Sequence, residues 1–186
     1  MSILVTSFDP FGGAEVNPSW KAVSLLPSSI AGHEVHRMQL PTVFGRCGEM
    51  LLQAAEELQP ALVILCGVAQ GREAVTPELV AVNYRMAHIP DNAGQAFEGV
   101  KIDKSCSAAF MTEAPVQEII AAIQAAGIPA RLSLSAGAYV CNDLYFAALK
   151  NGLPVLFIHV PGVEAVDTAH AAQAIQIAIE TALHKG

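Results

Sequence analysis

The sequence predicts an α/β fold in which a twisted, mostly parallel sheet lies between two layers of helices. Short runs rich in Val, Ile and Leu alternate along the chain with longer segments of helical spacing. One run, residues 61–68, is almost wholly apolar, as expected for a central parallel strand that is covered on both faces. The 186 residues are 53% hydrophobic and contain no linker-like segment, so we expect a single catalytic domain over residues 1–186.

The predicted elements follow one another in the order of a three-layer α/β/α sandwich. Strands are predicted at residues 3–7, 34–40, 61–68, 79–83, 131–135 and 155–160. Helices are predicted to begin at Asn17-Pro18 and to cover residues 44–58, 116–126, 142–150 and 166–184. Asn17 is a suitable N-cap, and Pro18 fits the first helical position.

Residues 69–115 form a long and less regular connection. A connection of this length in a compact domain is usually functional. The Pro-Asp-Asn-Ala-Gly run at residues 90–94 predicts a turn. Because parallel sheets build their sites at the carboxyl ends of strands, this segment is a place to search for site residues.

Composition excludes several classes of protein. The net charge of −7 argues against a nucleic-acid partner. The longest apolar run is too short to span a bilayer, and we see no signal peptide, so we expect a cytoplasmic protein. The scattered cysteines lack CxxC spacing, which favours reduced thiols over disulfides or a zinc site, and we expect no metal or cofactor. These cysteines are Cys47, Cys66, Cys106 and Cys141.

Cys141 lies where a run of small residues gives way to a predicted helix. At a helix N-terminus, free backbone N–H groups and the positive end of the dipole favour a thiolate. A free cysteine is also commonly a small buried hydrophobe, so its position alone leaves both interpretations open.

Two further residues could complete a nucleophilic site. His159 is the single polar side chain in the apolar run 155–160, and a thiolate and a carboxylate would satisfy its two ring nitrogens. Taken alone, a histidine of this kind is more often a core histidine bonded to a backbone carbonyl. Glu78 lies in the irregular segment after a central strand; taken alone, it would be an ordinary surface carboxylate.

Four separated motifs together resemble the pyroglutamyl peptidase I family (pyrrolidone carboxyl peptidases), cysteine peptidases that remove an N-terminal pyroglutamate. They occur in the family's order at residues 7–13 with 17–18, 76–78 with 81–83 and 89–92, 135–137 with 140–142, and 157–161. The resemblance implies a triad in which Cys141 is the nucleophile, His159 the base and later the acid, and Glu78 the group that orients the imidazole.

The resemblance also implies a pocket for the lactam ring of pyroglutamate and a polar residue beside it. Its residues would be Phe8, Phe11, Asn17, Thr42, Ile89, Tyr139 and Val140. A lactam carries no charged amine, so an apolar slot would accept it and would leave an ordinary N-terminal ammonium unpaired. The partners implied are a small peptide with an N-terminal pyroglutamate and further copies of the chain in a homo-oligomer, which is often a tetramer in the family.

The chain departs from the family pattern at several positions. His88 stands where members usually have an Arg, and we consider it as an oxyanion contributor. Val68 stands where a Gln lies near the site, and the connection between Leu149 and Phe157 is shorter than usual. Two alternatives therefore stay open: a divergent thiol hydrolase of another small amide, and a catalytically silent relative that binds pyroglutamyl peptides.

Overall fold

The structure is a computed structural model that describes residues 1–184; the last two residues of the predicted domain lie outside this range. The strands are β1 (Ser2–Phe8), β2 (Ser29–Ile30), β3 (His33–Leu40), β4 (Leu62–Val68), β5 (Thr76–Glu78), β6 (Val80–Val82), β7 (Arg85–Met86), β8 (Glu98–Val100), β9 (Ala109–Met111) and β10 (Val155–Val160). The helices are α1 (Pro18–Ser24), α2 (Arg46–Leu58), α3 (Val116–Ala125), α4 (Val140–Lys150) and α5 (Thr168–Leu183).

The main sheet has six strands in the order β2-β3-β1-β4-β10-β5. Strands β3, β1, β4 and β10 are parallel, and the short edge strands β2 and β5 are antiparallel to their neighbours. Helices α1, α3 and α5 pack on one face, and α2 and α4 pack on the other. The predicted α/β fold, with a mostly parallel sheet between two helical layers, is confirmed.

The two central strands alternate strictly between the two cores. In β4, Ile64 packs with α1, α3 and α5, whereas Leu65 packs with α2 and α4. In β10, Ile158 belongs to the first core and Phe157 to the second. Because side chains alternate with a period of two, Gly67 and His159 face the layer that contains α4.

The predicted strand at residues 131–135 is wrong, because only two isolated bridges form there, Val75 with Ala130 and Glu78 with Ser133. The backbone is close to a parallel ladder, since the N–H of residue 131 donates to the Val75 carbonyl. Pro77 interrupts this ladder because it has no N–H to donate. The sequence of one segment thus prevents its neighbour from becoming a regular strand.

Other boundaries differ by a few residues. The helix predicted at residues 44–58 begins at Arg46, because Gly45 has a φ of +74°, outside the helical region. The N–H groups of Phe44 and Gly45 donate to the carboxylates of Asp91 and Asp143 at 2.9 and 2.7 Å. The helix predicted at residues 142–150 begins two residues earlier.

The irregular connection contains more structure than was predicted. The predicted strand at residues 79–83 appears as β6, which pairs with β9, and β7 pairs with β8 in a second small sheet. The predicted turn at residues 90–94 is confirmed by the bond from the Gly94 N–H to the Asp91 carbonyl, 3.0 Å long. Within residues 1–184, no helix combines the length and the apolar character needed to cross a bilayer.

Asn17 caps α1 as predicted. Its Oδ1 accepts hydrogen bonds from the Ser19 N–H at 3.0 Å and the Ser19 hydroxyl at 2.7 Å. Its Nδ2 donates to the Asp9 carbonyl at 3.2 Å, so one buried amide joins the helix to the loop that follows β1.

We expect Asn17→Ala to lower the free energy of unfolding by about 1–2 kcal/mol, because two donors of Ser19 lose their acceptor inside the protein. Urea denaturation measures the change. Asn17→Ser is the matched control because it keeps a capping oxygen, and it should retain most of the stability. An alanine variant as stable as the parent would contradict the capping contribution.

Candidate active site

Three of the predicted site residues converge at the carboxyl edge of the sheet. His159 is the penultimate residue of β10, and Glu78 is the last residue of the neighbouring strand β5. Cys141 is the second residue of α4, which covers this part of the sheet. The carboxyl ends of parallel strands are the usual location of sites in open α/β sheets.

His159 and Glu78 are joined by a buried hydrogen bond. His159 Nδ1 lies 2.7 Å from Glu78 Oε1, although the two residues are 81 positions apart in sequence. Glu78 is completely buried, and the His159 ring packs against the Phe157 ring with centroids 4.6 Å apart. Because an ionised carboxylate only accepts hydrogen bonds, Nδ1 carries the proton, and Nε2 is left free for another partner.

Gly67 provides the space in which the sulfur approaches the imidazole. It lies opposite His159 in the β4–β10 register. A Cβ atom added to Gly67 would lie 3.1 Å from Cys141 Sγ and 3.2 Å from His159 Cδ2. The sulfur and the ring therefore reach the same point above β4, and only a glycine leaves this point unoccupied.

Arg72, for which no role was predicted from the sequence, contacts the same carboxylate. Arg72 Nη1 donates to Glu78 Oε1 at 2.6 Å and also donates to the hydroxyl of Thr76. A signal was present in the sequence, because Arg72 follows the carboxyl end of a central strand, as does Glu78. The reasoning that selected Glu78 applies equally to Arg72.

The environment favours uncharged forms of Cys141 and His159. Burial raises the pKa of the Cys141 thiol to about 12, and the charge of Glu78 acts in the same direction. The N–H at the start of α4 and the charge of Arg72 oppose this rise but do not balance it. Burial likewise lowers the pKa of His159 below its ordinary value, against the opposing hydrogen bond with Glu78.

The resting site therefore contains a neutral thiol beside a neutral imidazole. Burial of the sulfur thus opposes the predicted effect of the helix N-terminus, which favours a thiolate. Burial also raises the pKa of Glu78, but the hydrogen bonds from His159 and Arg72 bring it below its ordinary value. Glu78 is thus ionised at neutral pH.

Several of the residues predicted for the lactam pocket form a wall next to Cys141. The rings of Phe11 and Tyr139 are 6.2 Å apart, and the Tyr139 hydroxyl donates to the Pro90 carbonyl at 3.1 Å. Ile89, beside Pro90, is 55% exposed and is available for contact. Phe8 and Val140 are buried behind this wall and support it.

The remaining polar pocket residues hold the surrounding loops. The Thr42 hydroxyl donates to Asp9 Oδ1 at 2.7 Å, and Asn92 Nδ2 donates to the same oxygen at 3.1 Å. Asn17 holds the Asp9 carbonyl, as described above. Both Thr42 and Asn17 are buried, and direct contact of either with a ligand stays a prediction.

The two residues that depart from the family pattern lie at the borders of the site. Val68 ends β4 directly after Gly67 and is half-buried. His88 is exposed and directly precedes Ile89. Its contribution to oxyanion binding stays a prediction. Among the described residues, no group of three or more His, Cys, Asp or Glu side chains is arranged to hold a metal ion.

A separate cavity of about 660 Å³ lies at the amino end of β4 and β10. The short connection after α4 lines it through Leu149, Leu153 and Pro154, and Glu113 lies on its wall. None of the predicted site residues borders this cavity, so it is separate from the site around Cys141.

The motif resemblance is confirmed by comparison with known proteins. The chain matches the family model described as pyroglutamyl peptidase over residues 1–185. The pyrrolidone-carboxylate peptidase of Lactobacillus helveticus is 41% identical over 167 residues, which cover 87% of this chain and 84% of that protein. The corresponding enzyme of Enterococcus faecalis is 42% identical over 167 residues, with coverages of 87% and 78%.

Solved structures agree with this result. Pyroglutamyl peptidase I of Bacillus amyloliquefaciens superposes with a TM-score of 0.92 at 36% identity, over 98% of this chain and 97% of that chain. A mutant pyrrolidone carboxyl peptidase from Pyrococcus furiosus superposes with a TM-score of 0.93 at 35% identity, with coverages of 100% and 99%.

We expect Gly67→Ala to reduce kcat/KM by about 100-fold, because the new methyl group would crowd the Phe157 ring, the sulfur of Cys141 and the imidazole of His159. Turnover of a pyroglutamyl-amide reporter measures the loss. Gly48→Ala is the matched control, since its Cβ would lie 3.1 Å from Ala147 Cβ, a similar crowding between α2 and α4. Equal losses in the two variants would contradict a specific function of Gly67.

We expect iodoacetamide to alkylate Cys141 slowly at neutral pH in the absence of substrate. Little thiolate is present at pH values below the raised pKa of Cys141, so the alkylation rate should still be increasing at pH 10. The rate for an ordinary thiol, with a pKa of about 8.5, approaches its plateau at that pH. Mass spectrometry of the Cys141 peptide gives the rate at each pH. A plateau reached below pH 7 would show a preformed thiolate instead.

Proposed function

This chain belongs to the pyroglutamyl peptidase family, and from that premise we propose that it is a cysteine peptidase that removes N-terminal pyroglutamate from peptides. We assign catalysis to Cys141, His159 and Glu78. The observation that carries the assignment is the common approach of Cys141 Sγ and the His159 ring to the space above Gly67, with His159 Nδ1 bonded to Glu78.

The first step is attack by sulfur with loss of its proton. Because the resting thiol is neutral, His159 Nε2 takes the proton as Sγ bonds to the carbonyl carbon of the pyroglutamyl residue. Glu78 stabilises the imidazolium that forms, through the bond that it already makes to Nδ1. The carbonyl oxygen becomes an oxyanion, and the N–H of Cys141 at the start of α4 is a donor suited to stabilise it.

The second step releases the shortened peptide. The imidazolium of His159 gives its proton to the nitrogen of the scissile bond as that bond breaks, which leaves a thioester on Cys141. A water molecule then loses a proton to His159 and attacks the thioester carbonyl. Cys141 leaves as the thiol, pyroglutamate is released, and the neutral pair is restored.

Specificity follows from the wall formed by Phe11, Tyr139 and Ile89. An uncharged lactam ring fits an aromatic and aliphatic surface, whereas the ammonium of an ordinary N-terminus would lose its water without gaining a partner. Backbone N–H and carbonyl groups beside this wall would hydrogen-bond the lactam.

We also propose that the protein acts without a cofactor, in the cytoplasm, and as a homo-oligomer, as its family resemblance implies. The four cysteines are free thiols, which fits a reducing compartment. A monomeric mass by light scattering would contradict the assembly.

We expect Cys141→Ala to lose hydrolysis of a pyroglutamyl reporter by more than about 10³-fold, because no other group can form the thioester. Cys106→Ala is the matched control, since Cys106 is also a partly buried free thiol, and it should keep full activity.

Two other results would change the proposed function. Prolyl or glutaminyl reporters turned over faster than the pyroglutamyl one would indicate a hydrolase of another small amide. Binding of a pyroglutamyl peptide by calorimetry, without turnover, would indicate a silent relative.

A further inference from the structure

We propose that Arg72 is a positioning residue of the reaction: its guanidinium holds the Glu78 carboxylate in the orientation that directs His159 towards Cys141. The inference rests on the proposed peptidase function and adds a member to the group of Cys141, His159 and Glu78.

The turn after β4 brings Arg72 back over the edge of the sheet. The Ala69 N–H donates to the Val160 carbonyl at 2.9 Å, and the Arg72 N–H donates to the Ala69 carbonyl at 3.2 Å. Gly71 has a φ of +87°, a conformation that glycine adopts without strain. This reversal allows an arginine from the end of one central strand to reach the end of β5.

Arg72 contacts the site at two points. Its Nη1 donates to Glu78 Oε1 at 2.6 Å, and this same oxygen lies 2.7 Å from His159 Nδ1. Arg72 also donates to the Thr76 hydroxyl, which donates in turn to the backbone carbonyl of His159 at 3.4 Å. The Arg72 guanidinium therefore connects the Glu78 carboxylate with the backbone of His159.

Charge balance supports the same function. The Glu78 side chain is fully buried, and a buried carboxylate is costly unless a cation compensates it. His159 cannot be that cation at rest, because burial keeps it neutral. Arg72, whose side chain is 29% exposed, supplies the charge from the border of the cleft.

The same charge affects the proton transfer. The charged and titratable groups that face His159 are Glu78 from β5, Arg72 from the turn and Cys141 from α4. Glu78 favours the imidazolium, and Arg72 disfavours it. Arg72 thus offsets part of the stabilisation that Glu78 gives to the imidazolium. His159 can then return its proton to the leaving nitrogen.

The test compares Arg72→Gln, Arg72→Lys and the control Arg131→Gln. Arg131 is an exposed arginine with only a 3.9 Å contact to Glu73, and its substitution should leave the kinetics unchanged. We expect Arg72→Gln to lower kcat by roughly 10- to 100-fold with KM nearly unchanged. Arg72→Lys keeps the charge with a different geometry, so its kcat should be intermediate.

The pH dependence separates positioning from a purely structural contribution. Loss of the positive charge should raise the pKa of His159, so the acid limb of kcat for Arg72→Gln should move to higher pH. The acid limb of Arg72→Lys should stay in place. Titration of the His159 ring by NMR measures the same shift without turnover. In a Glu78→Gln background, Arg72→Gln should cause little further loss, because Arg72 acts through Glu78.

Unchanged kcat and an unchanged His159 titration in Arg72→Gln would overturn the inference. A loss of activity in Arg72→Gln that is explained by a smaller folded fraction in thermal unfolding, and that is equally large in Arg72→Lys, would also overturn it. If Arg72→Gln does not fold, a parent-like kcat in Arg72→Lys overturns the geometric function. Absence of turnover by the parent would instead refute the proposed function, and the NMR titration would still decide whether Arg72 acts on His159.

Discussion

The buried carboxylate of Glu78 is the constraint on which this edge of the sheet depends. A charge with no exposure to solvent requires partners, and both Arg72 and His159 meet it at one oxygen. The local structure supplies these partners. An antiparallel edge strand brings Glu78 beside β10, and a tight turn at Gly71 returns Arg72 over the end of β4.

Strand register determines which residues meet. Gly67 and His159 are opposite each other on adjacent parallel strands, on the face that carries α4 and its thiol. A slip of one residue would turn His159 into the other core, away from Cys141. Burial on both faces prevents that slip, because residues 62–66 of β4 and 155–158 of β10 belong alternately to the two helical cores. The packing of the core is thus what keeps His159 beside Cys141.

Much of this could be predicted from the sequence, because apolar periodicity and strong boundary residues are local signals. They were sufficient for the main strands and helices and for the junction that holds Cys141. The failures come from interactions between distant segments. Pro77 breaks a ladder that the sequence near Ser133 would otherwise complete, and Asp91 and Asp143 take N–H groups that precede α2.

The site was predicted in the same uneven way. Motifs indicated the three catalytic candidates, because each is a chemically distinctive residue in a distinctive segment. The ionisation of Cys141 could not be predicted, because desolvation depends on neighbours that only the fold brings together. Arg72 was overlooked although it follows the carboxyl end of β4, because this position alone does not show which carboxylate the arginine will contact.

The position of β10 in the chain has a consequence for biosynthesis. It is the last strand in sequence, yet it is inserted between β4 and β5, and the β5 edge joins the main sheet only through it. A nascent polypeptide still lacking this segment contains Cys141 but neither His159 nor the strand beside which Glu78 lies. The proposed triad is therefore complete only after ribosomal synthesis has passed His159, when the sheet can close.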